Sequence, residues 1–218
     1  DNRRYLGRFN IPILNSTEYQ FIYAPNINEV DTYLGIIPEV GLDIPDNPYD
    51  VEVGDILDIG PVYDYCLHNG CSLSNPTQWE RKKYKNMESM AQYLLDRGEK
   101  VVSIGANHEY IAGDNCTGLP LQDTASIMKA SKYYIANDTG TFHLAAAMKL
   151  TGVVVFTATS VYKNRHPDFH KTIEVVTSDI DCQPCQYKLD WGKCTEDTYN
   201  RWKCRDVDFK KVLGKLKV

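Results

Sequence analysis

From about Asp58 onward, short apolar runs alternate with stretches of helical period, and this alternation constrains the fold more than any other feature. Val62 to Leu67 reads as a strand. Met87, Met90, Ala91 and Leu94 then recur at helical spacing, and Gly98 stands where a helix would stop. Val101 to Ile104 reads as a buried strand, Leu121 to Ser131 as a helix, and Tyr133 to Ala136 as a strand. Phe142 to Met148 follows as a small-residue helix, Val153 to Phe156 as a strand and Thr172 to Val176 as a further one. Strand and helix in turn predict a parallel sheet with helices on both faces, a Rossmann-like α/β fold. In such sheets ligands sit at the carboxyl ends of the strands. That rule singles out the loops after Leu67, Ile104 and Ala136.

The flanking regions read differently. Within residues 1–57, positions 1–50 hold many Asn, Pro and Asp, with one strand-like run from Tyr19 to Tyr23. Asn28 to Gly35 is a candidate helix, and Pro38, Pro45 and Pro48 break the chain after it. These residues are expected to be an extension or linker, residues 58–180 the Rossmann-like domain, and residues 181–218 a Cys-rich segment ending in an amphipathic helix built on Phe209, Val212, Leu213 and Leu216. The chain opens on Asp1, and residues before it are expected. Hydrophobic residues make up 43% of the 218, enough for a full core, and the net charge of -5 argues against nucleic acid or an anionic membrane as the main partner. No apolar run is long enough to span a membrane. The lysines Lys210, Lys211, Lys215 and Lys217 read as a solvated helix face.

The loop after Ala136 carries the most information. Asp138-Thr139-Gly140-Thr141 joins a strand to a helix N-terminus, where free backbone N–H groups attract phosphate. Gly140 lets the backbone approach a ligand, Thr139 and Thr141 add hydroxyls, Asp138 can accept from sugar hydroxyls, and His143 can donate to phosphate. An Asp or Thr helix cap beside a structural glycine accounts for the same residues. After Ile104, Glu109 is placed to accept ribose hydroxyls, or is a surface carboxylate at a helix start. The loop His68-Asn69-Gly70-Cys71-Ser72 offers backbone donors to a phosphate, with Arg81, Lys82 and Lys83 adding charge; a solvated basic turn is the alternative.

Four of the seven cysteines crowd one region with the spacing C-x2-C-x8-C-x9-C: Cys182, Cys185, Cys194 and Cys204. Four thiolates suit a structural zinc or iron ion; disulfides and free thiols stay open beside it.

Taken in order, these segments resemble glycosyltransferase family 9, the ADP-heptose:lipopolysaccharide heptosyltransferases. The resemblance runs over about residues 27 to 204. It is carried by Asn28-Glu29-Val30, Trp79 and the helix to Gly98, Val101 to Glu109, Leu121 to Ser131, and above all Asn137-Asp138-Thr139-Gly140-Thr141-Phe142-His143-Leu144-Ala145-Ala146-Ala147. Cys182-Gln183-Pro184-Cys185 with two later cysteines resembles a tail in part of the family, where autotransporter heptosyltransferases bind iron.

The resemblance implies the C-terminal, donor-binding half of a GT-B fold that needs no catalytic cofactor. It assigns ribose to Glu109, adenine to the backbone near Leu119, and the diphosphate and sugar to Asp138, Thr139, Gly140 and His143. The acceptor domain, which holds the family's usual base, is mostly absent, so no catalytic base is named. Two departures stand out: Thr77-Gln78 precede Trp79 where a lysine is usual, and Phe156-Thr157-Ala158-Thr159 replaces F-G-x-T. The expected function is transfer of a sugar, heptose favoured, from a nucleotide diphosphate (ADP favoured) to a glycan or protein hydroxyl. An oligomer or a separate acceptor-domain partner is implied, in the cytoplasm, peripheral at the inner membrane face. A non-catalytic nucleotide-sugar-binding or assembly subunit is the alternative. A sugar-nucleotide epimerase of related fold fits the cysteines and the D-T-G-x-x-H pattern less well.

Overall fold

The computed structural model describes residues 28–39, 41–51, 53–54, 56–73, 79–185, 194 and 202–216. The Tyr19 to Tyr23 run, Thr77-Gln78 and most of the segment between Cys185 and Trp202 lie outside the described residues.

Six parallel strands form one sheet: β1 (Tyr63–His68), β2 (Val101–Gly105), β3 (Asp114–Thr117), β4 (Ser131–Asn137), β5 (Gly152–Val155) and β6 (Ile173–Val176). Their spatial order is β3-β2-β1-β4-β5-β6, all neighbours parallel. This is a doubly wound order, and the direction of winding reverses between β1 and β4. The central strands are buried on both faces, which explains their unbroken apolar runs: β5 and the first four residues of β2 are wholly buried.

Successive strand residues point to opposite faces and so feed two separate cores. On one side Tyr65, Leu67, Val153 and Val155 pack against α2 (Met87–Asp96) through Met87, Met90, Ala91 and Leu94. The terminal α6 (Phe209–Leu213) and the short 3-10 turn Gly214–Leu216 close this layer with Val212 and Leu216. The amphipathic reading of the last residues therefore holds, and the helix completes the main core. On the other side Cys66, Val102, Tyr134 and Val154 meet α3 (Leu121–Lys129) and α4 (Gly140–Ala147) through Ala125, Met128, Phe142, Ala145 and Ala146.

β3 had no sequence signal. Asp114-Asn115-Cys116-Thr117 is an edge strand held to β2 by the backbone, so no apolar alternation is required of it. The N-terminal α1 (Glu29–Glu39) runs four residues beyond the expected Gly35 and takes Pro38 into its last turn. Asn28 anchors its start. Its side-chain oxygen accepts from Val30 N–H at 2.9 Å, and its Nδ2 donates to the carbonyls of Tyr162 and Arg165 at 2.8 and 2.9 Å, at α5 (Val161–Asn164).

Candidate functional site

The strand-end rule directs attention to the reversal point, where the carboxyl ends of β1 and β4 diverge. A hollow of about 340 Å³ lies there, lined among others by His68, Gly70, Trp79, Lys82, Glu109 and Thr139, with Gly140 at its edge. A second hollow, of about 300 Å³, lies by Lys149, Lys171 and Thr172, which precede β5 and β6, at the amino ends of the strands. The first satisfies the topology and is lined by Gly70, Glu109, Thr139 and Gly140 of the expected residues.

His68 and Glu109 form its floor. Glu109 is neither a surface residue nor at a helix start: its side chain is 8% exposed and both oxygens are supplied with donors. Oε2 accepts from Ala106 N–H at 2.7 Å and from His68 Nε2 at 3.2 Å, and Oε1 accepts from Cys71 N–H at 3.1 Å. Burial pushes this carboxyl up, but the His68 bond and the two backbone donors together outweigh it and hold it down at about 2. On the other edge of the imidazole, Nδ1 meets the hydroxyls of Thr141 at 2.7 Å and Thr139 at 3.1 Å. The Tyr134 hydroxyl backs Thr141 at 2.7 Å. The floor is compact enough to require glycine above it: a Cβ on Gly70 would overlap Glu109 Oε1 and His68 Nε2, and one on Gly105 would lie 2.5 Å from Glu109 Oε2.

The basic turn divides its work. Arg81 is 1% exposed and directs Nη1 at Cys185 Sγ, 3.5 Å away. Lys82 turns toward the hollow, with Nζ 5.5 Å from the Trp79 ring centre and 3.3 Å from Asp138 Oδ2. Of the three basic residues of the turn, Lys82 is the one that lines the hollow. Thr157, which replaces the family glycine, donates its hydroxyl to the carbonyl of Arg81 and ties the end of β5 to this turn.

The β4–α4 loop is not the side-chain-capped turn that one reading of its sequence offers. Thr139 has the extended backbone of an N-cap, yet no side chain caps α4. Asp138 is 2% exposed and bonded to Lys82 and to Asn164 Nδ2 at 2.8 Å, so it holds the lysine. Asn137 is fully buried, donating to the carbonyls of Gly70 and Lys82 at 2.8 and 3.0 Å. Asn69 clamps Tyr84 through two backbone bonds of 2.8 and 2.9 Å and shapes the loop that presents Gly70. Leu119 is 40% exposed, leads into α3 and is not among the residues that line the hollow. His143 stands behind the Asp138–Lys82 pair, with Nδ1 2.9 Å from His170 Nε2. His68, Asn164 and His170 were not among the expected site residues; only His68, at a strand end, carried a signal.

No disulfide joins any of the seven cysteines. Cys204 is buried, and burial first, then the neighbouring Cys185, Cys182 and Cys194, push its thiol up to about 12. Cys194 Sγ accepts from Trp202 N–H at 3.3 Å. Among the described residues no group of three or more His, Cys, Asp or Glu side chains stands in an arrangement that could hold a metal ion. The other three cysteines are near enough to act on Cys204, and the sulfurs of Cys185 and Cys194 each receive an N–H donor. The segment is stitched to the basic turn: Arg205 Nε donates to the Lys83 carbonyl at 2.8 Å, and the Tyr84 hydroxyl to that of Val207 at 2.8 Å. Among the described residues no helix is long and apolar enough to cross a membrane.

Comparison with known proteins agrees with this fold. No curated protein matches the chain. Among solved structures, the iron-containing dodecameric glycosyltransferase TibC of enterotoxigenic E. coli H10407 superposes with a TM-score of 0.58 at 16% identity, over 82% of this chain and 51% of TibC. TibC in complex with ADP-D-beta-D-heptose gives 0.56 at 18% identity, over 82% and 50%. A family 9 glycosyl transferase from Veillonella parvula gives 0.50 at 15%, over 68% and 48%. These likenesses show the fold, and the chain spans about half the length of each of these structures. The model of glycosyltransferase family 9 (heptosyltransferase) matches residues 77–195, more than half of the sequence. The chain belongs to glycosyltransferase family 9.

Proposed function

We propose that the chain is the donor-binding half of a glycosyltransferase, holding a nucleotide diphosphate sugar at the β1/β4 reversal while the sugar passes to an acceptor hydroxyl. ADP-heptose is the favoured donor and a glycan or protein the acceptor; the solved complex of TibC with ADP-D-beta-D-heptose supports this choice. The observation that carries the reading is the hollow at the reversal point, where Lys82 faces a helix N-terminus left without a side-chain cap. A departing diphosphate needs its growing charge met by fixed donors and cations. The first N–H groups of α4 and the Lys82 ammonium answer that need, with Asp138 orienting the lysine. The floor residues Glu109 and His68 keep the loops in place, and ribose hydroxyls have the remaining acceptor capacity of Glu109. No base is assigned within this chain; it belongs to an acceptor domain or partner subunit. The boundaries 1–57, 58–180 and 181–218, and a cytoplasmic setting peripheral to the inner membrane face, are part of the same proposal.

Calorimetric titration of the full chain with ADP, UDP and GDP tests it. One nucleotide, ADP, is expected to bind selectively, and Lys82→Ala to weaken it roughly tenfold or more, the scale of one charge-assisted hydrogen bond. Failure of all three to bind well-folded protein overturns the reading.

The cysteine segment is proposed to hold a structural zinc or iron ion through Cys182, Cys185, Cys194 and Cys204, with no part in the transfer, since four protein ligands leave no open position. Elemental analysis of the purified chain is expected to find stoichiometric metal, lost in Cys182→Ser/Cys185→Ser; metal-free protein with four titratable thiols would sink the idea.

A further inference from the structure

Behind the Asp138–Lys82 pair stand two imidazoles, His143 and His170, whose proton positions the geometry determines. His170 Nδ1 lies 3.0 Å from the backbone N–H of His166, a group that can only donate. The His166 carbonyl is farther from that nitrogen, at 3.2 Å, and already accepts from the His170 N–H at 2.9 Å. His170 Nδ1 is therefore a bare acceptor. The ring is wholly buried, stacked on Phe142 at 4.2 Å and met edge-on by Phe169 at 4.7 Å. Burial, and next the adjacent His143, push it down to about 3, so it is neutral. A neutral imidazole with a bare Nδ1 carries its proton on Nε2, and that atom is 2.9 Å from His143 Nδ1. His143 Nδ1 accepts this proton's bond, and its own proton resides on Nε2. Nothing among the described residues bonds that Nε2.

We infer that His170 is a positioning residue that holds His143 as a neutral, Nε2-protonated imidazole, a permanent hydrogen-bond donor toward a diphosphate and not a proton carrier. The inference rests on the nucleotide-diphosphate reading of the crevice for its ligand, while the tautomer rests on the hydrogen bonds alone. The charged and titratable groups that face His143 are Asp138 from the β4 loop, Glu29 from α1, Lys82 from the basic turn and His170 from the 166–170 turn. Protonating His143 would set two N–H groups against each other across the His143–His170 contact, which the burial of both rings makes costly. A fixed neutral donor suits stabilisation of a leaving diphosphate, because its hydrogen bond does not come and go with pH.

Two-bond proton–nitrogen NMR spectra of the 15N-histidine-labelled full chain read the tautomer directly. In the parent, His143 is expected to be Nε2-protonated and not to titrate between about pH 6 and pH 8. In His170→Phe, which keeps the stack on Phe142 but removes the donor, His143 is expected to lose its single tautomer and to titrate in that range. His170→Gln, whose amide can donate to the same nitrogen, is expected to restore it. ADP affinity, measured by calorimetry at both ends of the range, should stay level in the parent. In His170→Phe it should tighten roughly tenfold toward acid pH, as His143 gains a charge beside the phosphates. A parent spectrum with the His143 proton on Nδ1, or with His143 titrating in this range, overturns the inference even if no variant folds. The expected spectra without ADP binding would overturn the nucleotide reading and support the positioning role.

Discussion

The two walls of the crevice are each built on a buried histidine, and they treat charge in opposite ways. On the β1–β2 side, His68 and two backbone N–H groups converge on Glu109 and hold it ionised despite its burial. On the α4 side, His143 and His170 face each other with no carboxylate among the described residues bonded to either, and burial keeps both pKa values below that of a free imidazole. The difference shows that burial does not decide protonation by itself. The donors aimed at a group decide whether its charged form survives desolvation.

Acid separates the walls. A histidine whose pKa falls on folding must be protonated on unfolding, so the native state loses stability as pH drops below the free value near 6.5, and the loss continues down to about 3 for His170. The slope over that window is about 1.4 kcal/mol per pH unit. His170→Phe is expected to remove it: its stability relative to the parent should rise steadily from pH 6.5 toward pH 4 in urea titrations. Parallel curves for the two proteins would mean that His170 is charged in the fold, and the contrast between the walls would collapse.

The site became legible from its sequence only as far as local signals reach. The runs in β1, β2, β4 and β5 announce a sheet because both faces are buried, and the strand-end rule then points at His68, Glu109 and the Asp138 loop. What these residues bond to is long-range. His68 meets Glu109 across 41 positions, Asp138 meets Asn164 across 26, and His143 meets His170 across 27. No spacing rule covers such pairs, which is why nothing near Asp138 in the sequence announces its bonds to Lys82 and Asn164. The edge strand β3 and the four-residue α5 were silent because neither is long or apolar enough to show a period.

The charged wall has its own acid window. A carboxylate lowered by folding contributes stability above its free pKa, and that contribution fades as pH falls from about 4.5 toward about 2. The lowering corresponds to roughly 3 kcal/mol at neutral pH. Glu109→Gln is therefore expected to lower unfolding stability by roughly 2–3 kcal/mol at pH 7, with the deficit shrinking below pH 4.5, because the amide cannot hold all three donors as a carboxylate does. A deficit that stays constant down to pH 3 would show that shape, and not charge, makes Glu109 necessary.

The smallest effect belongs to the joint between the walls. Thr157 is 1% exposed, and its hydroxyl donates to the carbonyl of Arg81, so the end of β5 on one side is fastened to the basic turn on the other. Glycine, usual here in the family the chain resembles, could make no such bond. Thr157→Val keeps the shape and removes the donor, and the buried carbonyl it served is left with one partner fewer, a change of about 1–2 kcal/mol in urea unfolding. Thr157→Gly is expected to cost about 1 kcal/mol more through backbone freedom. If the turn depends on this joint to present Lys82, both variants weaken ADP binding while Lys82 itself is intact. Unchanged affinity beside lowered stability would show that the Asp138 pair alone positions the lysine, and that the two walls are assembled independently.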